Sequence, residues 1–179
     1  MPIPVEFLRP QGSRNMLQSQ SPDTVGKRGP RNPWWTDVMS DSTEATRTVI
    51  DRYYAALTSG DREGLLSTLH PDVVWDPPVS AQIGQVTGAD AVAQALGSDV
   101  VKTTFDISKS FKVEKRNAIV DGNKAVVQQR VIATAKATGN AYDNEYCWVY
   151  TTENGQIIHM EEYADTVVAS KAMGWENPS

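Results

Sequence analysis

Three side chains in this sequence have the chemistry to move or steady a proton: Tyr53, Asp76 and Glu162. Alternation along the last strand-like run puts Ile158, Met160, Glu162 and Ala164 on one face, and His159, Glu161 and Tyr163 on the other. The first set is apolar except for Glu162. Burial raises the pKa of a lone carboxylate on an apolar face, which suits it to general acid–base chemistry. The competing reading puts Glu162 at a wet rim, or pairs it with Arg52 or another base. Asp76 ends the run Val73-Val74-Trp75 and precedes Pro77-Pro78. There it is either turn chemistry or a general base at a pocket mouth. Tyr53 lies on the apolar face of a helix, as a core residue or as a donor to a developing oxyanion.

A second group reads as lining. Period two along residues 141–152 places Tyr142, Asn144, Tyr146, Trp148 and Tyr150 on one face. Such a stripe is either core or the aromatic wall of a small-molecule pocket, and its polar tips fit the pocket. Trp75, Tyr146, Trp148 and Met160 would shape it around a small hydrophobic molecule. Asn144 and Gln129 would orient the ligand, Gln129 being the polar member of the face Val127, Gln129, Val131 and Ala133. The opposite face carries Gln128, Arg130, Ile132, Cys147, Val149 and Tyr163, a mixture that suits a homodimer interface. His70 reads as a turn residue, and His159 as facing solvent or a subunit. The two histidines lack His-x-x-x-His spacing, so no metal is expected. No Gly-rich phosphate loop is present and no cofactor is expected.

The elements that hold these residues begin at Asp41. Residues 1–41 are rich in Pro, Gly, Ser and Arg and read as a flexible N-terminal extension to a domain over 42–179. Trp34 and Trp35 are its exception: they pack on the domain or a partner, or belong to a start assigned too far upstream. Asp41, Ser42 or Thr43 caps a first helix, with Val49, Ile50, Tyr53 and Leu57 on its inner face. Ser59-Gly60-Asp61 separates it from a second helix carrying Leu65, Leu66 and Leu69. His70-Pro71-Asp72 is a turn, Val73–Asp76 a strand, and Gly88-Ala89-Asp90 opens a third helix. After Gly97 the pattern is β: 105–115, then hairpins at Asp121-Gly122 and Glu153-Asn154-Gly155, then a short closing helix. Helices first and a meander afterwards make an α+β fold.

Composition excludes several classes. The net charge of −5 argues against a nucleic-acid binder. No apolar run approaches the ~18 residues of a membrane span. The N-terminus lacks a signal-peptide layout. The single cysteine, Cys147, excludes an internal disulfide framework and fits a cytoplasmic protein.

Arg52-Tyr53-Tyr54-Ala55-Ala56-Leu57 with Gly60-Asp61, and Trp75-Asp76-Pro77, resemble bacterial ketosteroid isomerases. The wider resemblance, over about 43–174, is to SnoaL-type polyketide cyclases and their nuclear transport factor 2-like superfamily. It implies a cone-shaped α+β barrel, with N-terminal helices packed on a curved, mostly antiparallel sheet, and commonly a dimer. The isomerase resemblance makes Tyr53 the oxyanion donor and Asp76 the base. That enzyme is a standard example of such chemistry. Its second oxyanion acid falls near Cys147 or Trp148, neither of which is acidic. The C-terminal half is similar to limonene epoxide hydrolase, whose water-activating Asp falls on Glu162. Its partner Arg and Asp fall on Gln129 and Val131, so that triad is lost. The acid/base carboxylate of the cyclases also falls near Glu162. The resemblance implies isomerisation, cyclisation or hydration of a hydrophobic carbonyl compound, or else a non-catalytic binding or interaction domain.

Overall fold

The computed structural model describes residues 33–81 and 83–175, with the backbone alone at 33–40, 98 and 99. The expected extension falls mostly outside the described residues, as do the side chains of Trp34 and Trp35.

Helix α1 spans Pro33–Ser59. It starts upstream of the expected caps, at a proline, which suits a first turn because its missing N–H has no intrahelical partner there. Thr43 is therefore helix interior, and its hydroxyl instead accepts the Gly122 N–H at 2.9 Å. Val49, Ile50, Tyr53, Tyr54 and Ala56 are buried at helical spacing. Asp61 caps α2 (Arg62–Thr68) by accepting the Gly64 N–H at 2.9 Å.

Strand β1 (Leu69–Asp76) absorbs the turn expected at His70–Asp72. The chain there stays extended but loses register between Leu69 and Val74. A proline cannot donate to a ladder, so an irregular stretch is where a strand accommodates it. Strand β2 (Val86–Thr87) and α3 (Ala89–Leu96) follow. The chain does not turn to β at Gly97: α4 (Ser98–Thr104) intervenes, and β3 (Phe111–Asp121) starts later than expected. Short β-branched runs such as Val100-Val101 and Thr103-Thr104 do not separate helix from strand by pattern alone.

Strands β4 (Lys124–Thr134), β5 (Ala141–Glu153) and β6 (Gln156–Ala164) and helix α5 (Thr166–Met173) complete the domain. Glu153 pairs with Gln156. The two loop residues Asn154 and Gly155 have φ of 51° and 75°, as a type I′ hairpin requires. The six strands form one open, curved sheet in the order β2-β1-β6-β5-β4-β3. Among the described residues, only β1 with β6 is parallel.

Helix α1 covers one half of the inner face, packing with α2, α3, β1, Val127, Trp148, Tyr150, Ile157 and Met160. A second cluster, Val131, Ala133, Tyr142, Ala169 and Ala172, packs beneath α5. Tyr146 touches both clusters and lies at their seam. No helix among the described residues is long and apolar enough to cross a membrane.

Candidate active site

Register decides which side chains meet. Trp148 pairs with Glu162, Tyr150 with Met160, and Tyr146 with Ala164. Across β4, Val127 pairs with Trp148, Gln129 with Tyr146 and Val131 with Asn144. Trp75 pairs with Met160. These residues share the inner face, so the alternation places Glu162 and the aromatic stripe as expected. One member differs. The ladder slips between Thr151 and Thr152, leaving Ile158 as the extra residue. Ile157 is therefore fully buried in its place, and Ile158 only partly.

Glu162 is half-buried beside the seam of the two clusters. Trp75 donates its indole N–H to Glu162 Oε2 at 3.1 Å. Burial raises the Glu162 pKa to about 7, and the Trp75 bond opposes the rise. The Arg52 pairing does not form: Arg52 donates instead to Ser67 Oγ at 3.0 Å on the surface. Burial raises the hydroxyl pKa of Tyr53, Tyr54, Tyr142, Tyr146 and Tyr150, and the Glu162 charge adds to the rise in all five. The carboxyl thus lies within electrostatic reach of five protonated phenols.

The phenols are fixed by packing and by each other. Tyr53 is 1% exposed, with Tyr54 and Tyr150 edge-on at ring separations of 5.4 and 5.7 Å. Tyr54 and Tyr150 share a hydrogen bond of 3.0 Å, and the hydroxyls of Tyr142 and Tyr146 also bond. Asn144 is committed to structure. Its Nδ2 donates to Tyr142 Oη at 3.0 Å and to the Asp165 carbonyl at 3.0 Å, and its Oδ1 accepts the Asp165 N–H at 3.3 Å. Its burial therefore ties β5 to the start of α5, where Asp165 caps the helix by accepting from Val167 and Val168. Gln129 is buried opposite Tyr146.

Asp76 does not join Tyr53 and Glu162. Parallel pairing sets it beside Glu161, on the outer face, while its neighbour Trp75 points in. There Asp76 accepts from Gln85 Nε2 at 2.8 Å and bonds His159 Nε2 at 2.7 Å. These bonds, Gln85 first, hold its pKa below the usual carboxylate value. His159 Nδ1 lies 3.7 Å from Glu161, which accepts from Tyr163 at 3.0 Å. The expectation of one site containing all three residues is corrected accordingly: two are inside, one is outside. Sequence reasoning missed this outer Asp76–His159 pair and the Trp75–Glu162 bond. Both join β1 to β6, more than eighty residues apart, and no local pattern signals such a pairing. Among the described residues, no group of three or more His, Cys, Asp or Glu is placed to hold a metal ion.

Helices on an open curved sheet, with β1 parallel to β6, make an α+β fold shared with solved nuclear transport factor 2-like proteins. Within it the chain belongs to the SnoaL-like domain family, whose model matches residues 50–160. Solved structures agree on the fold. An NTF2-like protein of unknown function from Burkholderia pseudomallei K96243 is 23% identical, covering 72% of this chain and 97% of its own, with a TM-score of 0.63. A protein named as a SnoaL-like polyketide cyclase, from Jannaschia sp. CCS1, is 18% identical over 76% of this chain and 96% of its own, with a TM-score of 0.63. One named as a ketosteroid isomerase, from Kribbella flavida DSM 17836, is 16% identical over 69% and 80%, with a TM-score of 0.55. At these identities the likeness is one of fold. No curated protein matches the sequence.

Proposed function

We propose that the inner face is the active site of a small-molecule enzyme that uses cofactor-free acid–base chemistry, of the isomerase or cyclase type, on a hydrophobic carbonyl compound. Glu162 is the proton carrier. The observation behind this reading is its position: a carboxyl on the inner face, bonded by one indole N–H and within electrostatic reach of five buried phenols, with its pKa raised to about 7. A group poised there is half ionised at neutral pH, which is where a general base and its conjugate acid both operate. The carboxylate takes a proton from the carbon beside the carbonyl, and the C–H electron pair moves through carbon onto oxygen. The acid then returns the proton at the same or another carbon. Phenols whose pKa is raised stay protonated and favour the charge developing on that oxygen. Tyr53 belongs to this set. Asp76, on the outer face, has no part in the transfer.

Proton exchange tests the reading without knowledge of the natural substrate. Apolar cyclic ketones are incubated with the protein in deuterium oxide, and loss of the α-proton signal is followed by NMR. Exchange should rise with pH through about 7 as Glu162 ionises. Exchange that is unaffected by Glu162→Gln would sink it.

The outer face supports a further part of the reading, a homodimer. Tyr163 is 56% exposed there, and Cys147 and Val149 are only partly covered. Arg130 donates to the two carboxylate oxygens of Asp143 through Nε and Nη2, at 2.6 and 2.5 Å, and Arg116 reaches Glu145 at 2.8 Å. Apolar patches between satisfied charges resemble an interface more than a solvated face. A monomer in light scattering at micromolar concentration would contradict it. The lone Cys147 suits a reducing compartment, and we assign the protein to the cytoplasm.

A further inference from the structure

We infer that the indole N–H of Trp148 is the docking donor for a ligand oxygen, and that the inner face takes neutral planar molecules carrying a carbonyl or phenolic oxygen. This rests on reading the inner face as a substrate site. Among the described residues, Trp148 Nε1 is the buried side-chain polar atom left without a hydrogen-bond partner. Trp148 is 5% exposed, so solvent does not satisfy it. Buried donors are nearly always paired, and an unpaired one calls for a reason.

Its neighbours supply the reason. Trp148 stands directly opposite Glu162 on the inner face. Trp75 stacks with it at 6.3 Å and 28°, and Tyr150 at 6.0 Å and 13°. The stacked rings engage the flat surface of the indole, so its N–H edge is what it can offer a ligand. The two indoles differ in one respect: that of Trp75 is spent on Glu162, that of Trp148 on nothing.

The chemistry of the partner follows. An indole N–H only donates, so the ligand group must accept. Glu162, at the paired position, repels an anion when it is ionised, which favours a neutral oxygen over a carboxylate or phosphate. The surrounding walls are aromatic. A conjugated ketone fits all three conditions. Its carbonyl oxygen would accept from Trp148, and would carry the charge when the carbon-bound proton leaves for Glu162. Binding requires the packing over the indole edge to yield.

The test compares 2-naphthol with naphthalene, which has the same rings and lacks the oxygen. The full chain, labelled with ¹⁵N, is titrated with each, and the Trp148 N–H signal is assigned by its absence in Trp148→Phe. We expect 2-naphthol to bind ~10-fold more tightly and to move that signal downfield, while naphthalene does not. In Trp148→Phe the preference should fall towards one, with naphthalene affinity kept. An unchanged preference in that variant, an unmoved N–H signal, or no binding of either compound at millimolar concentration overturns the inference. Should Trp148→Phe not fold, the wild-type signal, assigned by sequential NMR, decides alone. The outcome is separable from that of the exchange assay. A naphthol preference that depends on Trp148 without Glu162-dependent exchange leaves the donor in place and removes the catalysis, and the reverse result removes the donor only.

Discussion

Asp76 and Glu162 lie on adjacent strands, yet their surroundings push their acidity in opposite directions. Asp76 faces out, 41% exposed at the side chain, and two hydrogen-bond donors lower its pKa. Glu162 faces in, and burial raises its pKa to about 7. Glu161, the chain neighbour of Glu162 and the same residue type, falls on the side of Asp76. The difference shows that face, rather than residue type or nearness in sequence, sets what a carboxyl on these strands can do. On the outer face donors and water solvate the charge, so it stays ionised and structural. On the inner face few groups do, so the proton becomes mobile near neutrality.

The largest expected effect breaks the comparison if it fails. Glu162→Gln should lower proton exchange by ~10²–10⁴-fold, the usual contribution of a general base. Asp76→Asn should change it by less than ~3-fold, since the Asp76 carboxyl is bonded to Gln85 and His159 on the outer face and is out of reach of the proton that a general base must take. Equal losses in the two variants would mean that the faces are not functionally distinct.

Stability against pH gives the next test, with opposite signs on the two faces. Burial lifts the folded pKa of Glu162 from the ordinary carboxyl value of 4.5 to about 7. The folded state therefore binds the extra proton between those values, and stability falls as pH rises through that window. Glu162→Gln removes the penalty. It should be neutral at acid pH and stabilising above pH ~8, by roughly 3 kcal/mol at most, or on the order of 10 °C in Tm. The folded pKa of Asp76 is depressed, so its contribution is present above the unfolded value and is lost as pH falls through the folded one. Asp76→Asn should thus be mildly destabilising at neutral pH and neutral in acid. Thermal melts of both variants across pH read the two signs directly.

Smaller effects sharpen the contrast. Tyr54 and Tyr150 share a buried hydroxyl bond. Tyr54→Phe strands the Tyr150 hydroxyl and should cost ~1–3 kcal/mol, whereas replacing both should cost less than the sum. A denaturant double-mutant cycle measures the coupling. On the outer face, Arg130→Ala should cost under ~1 kcal/mol, although its pair with Asp143 is doubly bonded. A larger loss that grows on dilution would point to Arg130 holding a subunit contact.

Several features follow from local rules and were legible along the chain. Period two put Met160, Glu162 and the stripe from Tyr142 to Tyr150 on one face, because successive strand residues point to opposite sides. The Asn154-Gly155 hairpin follows from which residues tolerate positive φ. The inward turn of Tyr53 follows from helical spacing. The tertiary structure alone decided three further things. It set Asp76 outside, through its register with Glu161. It exchanged Ile158 for Ile157, through a bulge in the β5–β6 ladder. It left Trp148, and not Trp75, with a free indole N–H. Each depends on segments far apart in the chain. The face, neighbours and solvation of a side chain are set where strands meet, and a sequence pattern describes only one strand at a time.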